Sequence, residues 1–164
     1  MSLRLTTLHE PLSRWVGRRT DRLLRAPVPL LDGAGEKWNK DRVGRFGEEV
    51  AARWLWLEGG CKVLRRNFRA PGGGELDVVA RDGETLVFAE VKTRTSVAFG
   101  RPALAVDEAK RGLIIRGARE WMRLLGWPEI MFRFDVVEVV LADREPPAVT
   151  WVRGAFSLPE NLRW

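Results

Sequence analysis

The residues whose types suit catalysis are three carboxylates and a lysine in two neighbouring stretches of the chain. Glu75 and Asp77 lie in the first stretch, and Glu90 and Lys92 lie in the second. Carboxylate oxygens are the ligands that Mg²⁺ prefers, and a lysine beside such an ion can orient or deprotonate water. Together, these groups are the minimal equipment for metal-dependent hydrolysis of a phosphodiester bond.

A predicted hairpin brings these four side chains to one face of a sheet. The Asp-Gly pair at residues 82–83, between two apolar runs, is typical of a two-residue β-turn. With that turn, Asp77 faces Phe88 and Glu75 faces Glu90. Because opposite residues and residues two apart share a face, the charged residues lie together. The other face is wholly apolar and contains Leu76, Val78, Ala80, Val87, Ala89 and Val91.

Asp77 and Glu90 form the centre of the predicted metal site. They are diagonal neighbours in this register, with Cβ atoms about 7 Å apart, and a divalent cation would remove the repulsion between their carboxylates. The predicted ligands of Mg²⁺ or Mn²⁺ are Asp77, Glu90 and the backbone carbonyl of Val91, with Lys92 beside the ion. A second interpretation stays open, because a Glu-Val-Lys strand is also typical of a half-exposed surface on which Lys92 offsets Glu90.

The periodicity of apolar residues predicts the elements that position this site. Helical spacing runs over residues 42–58, and a second helix begins after the N-cap Asp107 and ends near Leu125. Strands are predicted at residues 62–69, 75–80, 85–93, 133–141 and 148–153. The buried side of the second helix is predicted to contain Leu113, Ile114, Gly117, Ala118, Trp121 and Leu125. The order α-β-β-β-α-β, followed by one more strand, indicates an α/β fold class.

The composition excludes several other kinds of site. The 164 residues contain one cysteine, Cys61, and one histidine, His9. We therefore expect no disulfide within the chain, no cysteine-based zinc site and no histidine-centred triad. No apolar run approaches the ~20 residues of a membrane span, and no secretory signal begins the sequence. These patterns favour a cytoplasmic protein without a membrane partner.

The excess of basic residues suggests a polyanionic partner. Lys and Arg number 28 against 22 Asp and Glu, which gives a net charge of +6. Of the 28 basic residues, 23 are arginines, whose planar fork suits phosphate, so nucleic acid is the predicted partner. The predicted nucleic-acid ligands around the acidic site are Arg94, Arg101, Lys110 and Arg111. A coding sequence rich in G and C, and a solvated helix face, explain the same residues equally well.

Two regions of different character are predicted. Residues 1–36 form a basic N-terminal extension that ends in prolines and glycines, and residues 37–164 form the main domain. The extension is either an amphipathic arm that contacts nucleic acid or a loosely ordered leader.

A series of motifs in order resembles the YraN family of small bacterial proteins of unestablished function. The motifs are Gly44-Arg45-Phe46-Gly47-Glu48, Arg66-Asn67-Phe68-Arg69, Gly74-Glu75-Leu76-Asp77, Phe88-Ala89-Glu90-Val91-Lys92-Thr93-Arg94 and Arg133-Phe134-Asp135-Val136-Val137. The resemblance covers residues 40–157. The family is itself similar to the restriction-endonuclease-like superfamily, whose signature is PD-(D/E)xK, and to archaeal Holliday-junction resolvases.

The resemblance implies a restriction-endonuclease-like αβββαβ core with a central mixed β-sheet flanked by helices. It implies Asp77 and Glu90 as metal ligands, Lys92 as the catalytic lysine and Glu48 as a further carboxylate. Glu75 stands where the signature has its proline, which leaves its role open between a second metal site and a partner for an arginine. Resolvases of this superfamily act as symmetric dimers, so the resemblance also implies a homodimer.

The implied function is that of a metal-dependent endonuclease acting on branched or otherwise structured DNA. Members of the superfamily that bind without cutting leave a second function open, that of a non-catalytic nucleic-acid-binding or adaptor protein. A third is an interaction module whose acidic patch docks a basic protein.

Overall fold

The computed structural model describes residues 21–95, residues 106–160 and residue 162. The described residues form three helices: α1 (Arg22–Arg25), α2 (Lys40–Leu57) and α3 (Glu108–Leu124). They form five strands: β1 (Lys62–Arg69), β2 (Glu75–Asp82), β3 (Thr85–Arg94), β4 (Phe132–Val140) and β5 (Ala148–Phe156). The element order and the α/β class predicted from the sequence are confirmed. Residues 1–20 of the predicted N-terminal extension and the predicted ligand Arg101 lie outside the described residues.

The strands form one mixed sheet in the order β1-β2-β3-β4-β5. The central pair, β3 and β4, is parallel, and the other three pairs are antiparallel. The connection between the two parallel strands contains α3, as a parallel pair requires a crossover. The two strands that carry the predicted site residues, β2 and β3, each lie between two neighbouring strands of the sheet.

The two long helices cover opposite faces of the sheet and form separate apolar clusters. The cluster under α2 includes Val50 and Leu55 of the helix with Val78 and Val91 of the sheet. The cluster under α3 includes Ile114 with Phe88 and Phe134, among other residues. Each helix begins at a side-chain cap, Asn39 for α2 and Asp107 for α3, which accepts a hydrogen bond from a backbone N–H of the first turn.

The predicted buried side of the second helix needs correction at its end. Ile115 and Met122 are buried although the pattern omitted them, whereas Leu125 is 50% exposed. Leu125 is the C-cap residue, and Gly126, at a positive φ, follows it. The helix therefore ends before Leu125 can turn toward the sheet, so its side chain stays in solvent.

The hairpin turn lies one residue later than predicted. Asp82 pairs with Thr85, so the two turn residues are Gly83 and Glu84, and Phe88 lies opposite Val79 rather than Asp77. Gly83 has φ +57° and stands first in the turn, a position at which a type II′ turn uses glycine. The predicted pairing was therefore wrong by two residues. An even shift does not by itself change which residues share a face, and the paired part of the ladder ends at Val78 with Ala89.

The prediction for Leu76 was also wrong. Its side chain packs under α3 with Val79 and Phe88, not with Val78 on the α2 face. The alternation of faces breaks where two irregularities meet. Asn67, on the neighbouring strand β1, has φ +51°, and the pairing of β2 with β3 ends at Val78. This break in the sheet is where the candidate site lies.

Residues 21–36 pack against the main body. Asp21 is buried and pairs with Arg53 of α2, and Arg25 lies 2.5 Å from Glu58. Leu24 belongs to the apolar cluster under α2. None of the helices in the described residues is long and apolar enough to cross a membrane.

Candidate metal centre

The candidate site begins where β2 and β3 separate. The backbone pairing of β2 with β3 ends at Val78 and Ala89, and the next contact between the two strands is made by a side chain. Asp77 Oδ2 accepts a hydrogen bond from the backbone N–H of Val91 at 2.8 Å. This bond fixes the Asp77 carboxylate beside the start of the Glu-Val-Lys segment of β3.

Glu90 is the buried acid of the site. Its side chain is 4% exposed, and its Oε1 lies 3.2 Å from Lys92 Nζ. Its Oε2 is buried and accepts no hydrogen bond, although Lys110 Nζ lies 3.3 Å away without hydrogen-bond geometry. A buried carboxylate oxygen left without a hydrogen bond is energetically costly, which makes it a site where a cation would be favourable.

The pKa of Glu90 is raised to about 7, mainly by burial and then by the nearby charge of Asp77. Lys110 and Lys92 act in the opposite direction. Two carboxylates this close repel each other when both are charged. A divalent cation bound between them would remove that repulsion.

Both helices approach the sheet at this point through glycines. A Cβ at Gly47 of α2 would lie 1.9 Å from Thr93 Oγ1 on β3. On the other face, a Cβ at Gly74 would lie 2.2 Å from the backbone nitrogen of Gly117 in α3. Side chains at these positions would force the layers apart. The close contacts bring Glu48, which follows Gly47, and the first turn of α3 to the gap between the strands.

Glu48 lies in the same cavity as Asp77. The cavity has a volume of about 300 Å³, and its lining includes Glu48, Asn67, Glu75, Asp77 and Glu90. Burial raises the pKa of Glu48, and the charge of Asp77 adds to this effect. A hydrogen bond with the Asn67 side chain acts in the opposite direction and stabilises the carboxylate.

Lys110 lies inside the acidic cavity, in contact with its carboxylates, rather than on the rim predicted from the sequence. Its Nζ is 2.5 Å from Glu75 Oε1 and 3.3 Å from Glu90 Oε2. Burial acts to lower the pKa of Lys110, but the hydrogen bond to Glu75 and the charge of Glu90 leave it above its ordinary value. The same hydrogen bond lowers the pKa of Glu75. Glu75 is therefore the partner of a lysine, not of the arginine considered from the sequence.

The other cations predicted to bind nucleic acid have different surroundings. Arg94, at the end of β3, lies 3.1 Å from Glu138. Arg111 is exposed, donates a hydrogen bond to the backbone oxygen of Val106 at 2.9 Å and lies over the ring of Phe156. Neither residue belongs to the lining of the acidic cavity.

The residues present fit a small divalent cation held mainly by water. Within the described parts of the chain, no three His, Cys, Asp or Glu side chains are grouped as a metal-ligand set. Mg²⁺ usually takes one or two carboxylates and keeps several waters, so Asp77, Glu90 and the carbonyl oxygen of Val91 would suffice. Two structural observations favour this assignment: the buried Glu90 Oε2 accepts no hydrogen bond, and Asp77 and Glu90 line the same cavity.

Asn67 is a site residue that the analysis of the sequence missed. Its positive φ turns its amide toward Glu48, and no spacing rule predicts that conformation, although asparagine adopts it more readily than most residues. The place of Lys110 was also missed, because contacts between a helix and a distant strand leave no local signal in the sequence.

Comparisons with known proteins give a consistent family match. A sequence model of "Uncharacterised protein family UPF0102" matches residues 47–139, a segment that includes Glu48, Asp77, Glu90 and Lys92. A UPF0102 protein of Beutenbergia cavernae is 48% identical over 70% of this chain and 96% of its own length. UPF0102 proteins of Solibacter usitatus and Trichlorobacter lovleyi are 41% and 43% identical, over 79% and 80% of this chain and 99% and 98% of their own lengths.

Proposed function

Because this chain belongs to the uncharacterised protein family UPF0102, the YraN family, whose names assign no activity, we propose a function from the site itself. We propose that the protein is a metal-dependent endonuclease that hydrolyses phosphodiester bonds in DNA. The proposed core is the restriction-endonuclease-like one, and the element order α-β-β-β-α-β supports it. The preference for branched or structured DNA rests on the resemblance to archaeal resolvases.

The observation that carries the proposal is the pair of carboxyl groups at the gap between β2 and β3. Asp77 is held by the Val91 N–H, and Glu90 is buried with one oxygen that accepts no hydrogen bond. A buried acid that only stabilises the fold is normally fully hydrogen-bonded, so a purely structural role does not explain the free oxygen of Glu90. Perturbed acids in a cavity are typical of functional sites.

Each residue of the site has a proposed role. Asp77, Glu90 and the Val91 carbonyl would hold Mg²⁺ or Mn²⁺, which when bound would polarise the phosphodiester and make water a better nucleophile. Lys92, beside Glu90 Oε1, would orient the attacking water and offset the charge that develops on phosphorus oxygens. Glu48, whose pKa is raised by burial, would be a better proton acceptor than an ordinary glutamate.

A second candidate function is binding of nucleic acid without cleavage. The observation that favours it is the neutralisation of the acidic cluster by its own lysines, since Lys92 and Lys110 both contact Glu90. A cluster balanced in this way would be stable without a cation. Under this alternative, binding would depend steeply on salt and no divalent cation would produce cleavage.

A cleavage assay on labelled four-way junctions, flaps, duplexes and single strands tests the proposal. We expect cleavage by the wild-type protein with Mg²⁺ or Mn²⁺ but not with EDTA, and a loss of at least about 10³-fold in Asp77→Ala and Glu90→Ala. Glu84→Gln, at an exposed position in the hairpin turn, is the matched control and should cleave as wild type does. Binding without cleavage across all substrates and both metals would move the assignment to the second function.

A further inference from the structure

The edge strand β1 carries an unbalanced row of cations. Lys62, Arg65, Arg66 and Arg69 are all exposed, and no acidic residue lies in this strand. These eight residues therefore carry +4 in a chain whose net charge is +6. Among the described residues, these four cations make one ion-pair contact, a long one of 4.0 Å between Arg66 and Glu49.

The row of cations connects a surface groove to the candidate metal centre. At one end, Lys62 and Arg66 line a groove of about 500 Å³ between β1 and α2, together with Arg53 and Trp56. At the other end, Asn67 and Arg69 line the acidic cavity. The groove and the cavity are thus joined along one strand, with a cation at each end.

Protection of a sheet edge does not account for this row. Exposed edges are commonly protected by a lysine or a bulge, and β1 already has a register shift between Val63 and Arg65. The opposite edge of the same sheet, β5, has one cation in nine residues, Arg153, and that guanidinium stacks on Trp151 at 4.1 Å. The asymmetry between the two edges points to a function on the β1 side.

We infer that β1 is the surface along which the backbone of a DNA strand lies as it enters the metal centre. This inference rests on the proposed function and adds the path of the substrate. Carboxylates within the cavity repel phosphates, so cations next to it are needed to hold the polyanion. The sequence assigned that task to Arg94, Lys110 and Arg111, but the first two contact carboxylates instead.

The dimensions of the strand suit this role. At about 3.3 Å per residue, eight residues extend over about 26 Å, which corresponds to seven or eight nucleotides along one strand of a duplex at about 3.4 Å each. Arginine and lysine contacts of this kind fix position without reading sequence. The surface therefore fits DNA structure rather than a base sequence.

The test is a comparison of two triple variants that lose the same charge. Lys62→Gln, Arg65→Gln and Arg66→Gln remove the cations of β1 that lie outside the acidic cavity. Arg116→Gln, Arg119→Gln and Arg144→Gln remove three exposed cations from α3 and from the loop before β5. Binding of a fluorescent duplex and a four-way junction is measured in EDTA over a range of salt concentrations, and equal melting temperatures establish that both variants are folded.

The β1 variant is expected to lose about two to three units of slope in a plot of log K against log salt concentration, since each phosphate contact contributes roughly 0.9. This loss corresponds to about 100-fold weaker binding near 0.15 M salt and to a larger loss at lower salt, whereas the control should bind within about threefold of wild type. Equal losses in the two variants, or no loss in either, would overturn the inference.

The result separates this inference from the proposed function. Binding that depends on β1, without cleavage by the wild-type protein under Mg²⁺ or Mn²⁺, would support the inference and overturn the nuclease assignment. Metal-dependent cleavage that is equally fast in the β1 variant and in wild type at subsaturating protein would support the nuclease assignment and overturn the inference.

Discussion

Glu90→Gln is expected to stabilise the metal-free protein at pH 8 by roughly 3 kcal/mol, and to change its stability little at pH 4.5. Burial raises the pKa of Glu90 from 4.5 to about 7 in the folded protein. Between these two values the folded protein keeps a proton that the unfolded chain has lost. The contribution of Glu90 to the free energy of unfolding therefore falls as the pH rises through this interval, and it stays constant above pH 7.

Urea unfolding at both pH values, in EDTA, measures this effect. Glutamine has the shape of the protonated acid and does not ionise, so the variant lacks the penalty of a buried charge. Glu84→Gln in the hairpin turn is the control, because Glu84 is exposed, and it should not change stability at either pH. A Glu90→Gln effect of the same size at both pH values would show that Glu90 has an ordinary pKa.

Lys92→Gln is expected to slow DNA cleavage by about 10²- to 10⁴-fold while leaving DNA affinity nearly unchanged. Lys92 Nζ lies 3.2 Å from Glu90 Oε1, next to the proposed ion rather than on the DNA-binding edge. Single-turnover cleavage with saturating protein measures the chemical step. Lys37→Gln, at an exposed position before α2, is the matched control and should cleave as wild type does.

A second pH distinguishes a direct role of Lys92 from an effect on Glu90. The charge of Lys92 lowers the pKa of Glu90, so its removal leaves Glu90 protonated to a higher pH. If this were the whole effect, cleavage by Lys92→Gln would recover to the wild-type rate when the pH is raised by about two units. We expect the loss to persist, because the variant also lacks the cation that faces the developing charge.

Much of the fold was predictable because its signals are local. The helix cap Asp107 and the glycines after each long helix give clear boundaries, and alternating apolar residues identify the strands, but the cap Asn39 was missed and α2 begins two residues earlier than predicted. The hairpin register was not predictable to the residue, because Asp-Gly and Gly-Glu are both acceptable turns for residues 82–84. The β2–β3 pairing then ends at Val78 with Ala89, and Asp77 reaches β3 through its side chain, which accepts a hydrogen bond from the Val91 N–H.

The candidate site was predictable only in its strand residues. Asp77, Glu90 and Lys92 share a short hairpin, so the alternation of faces was enough to bring them together. Lys110 reaches Glu75 and Glu90 across the packing of α3 on β2, which depends on the close approach at Gly117. Asn67 depends on a backbone conformation. Neither of these two features has a periodic signal in the sequence.

Calorimetric titration of Mn²⁺ into the metal-free protein at about pH 8 tests most directly whether Asp77 and Glu90 hold one divalent cation. It requires no knowledge of the substrate, and at this pH Glu90 is ionised. We predict one site per chain in wild type and in the Glu84→Gln control, with affinity at least about tenfold lower in Asp77→Asn and Glu90→Gln. Equal Mn²⁺ affinity in wild type and in both site variants would contradict the assignment of the metal centre.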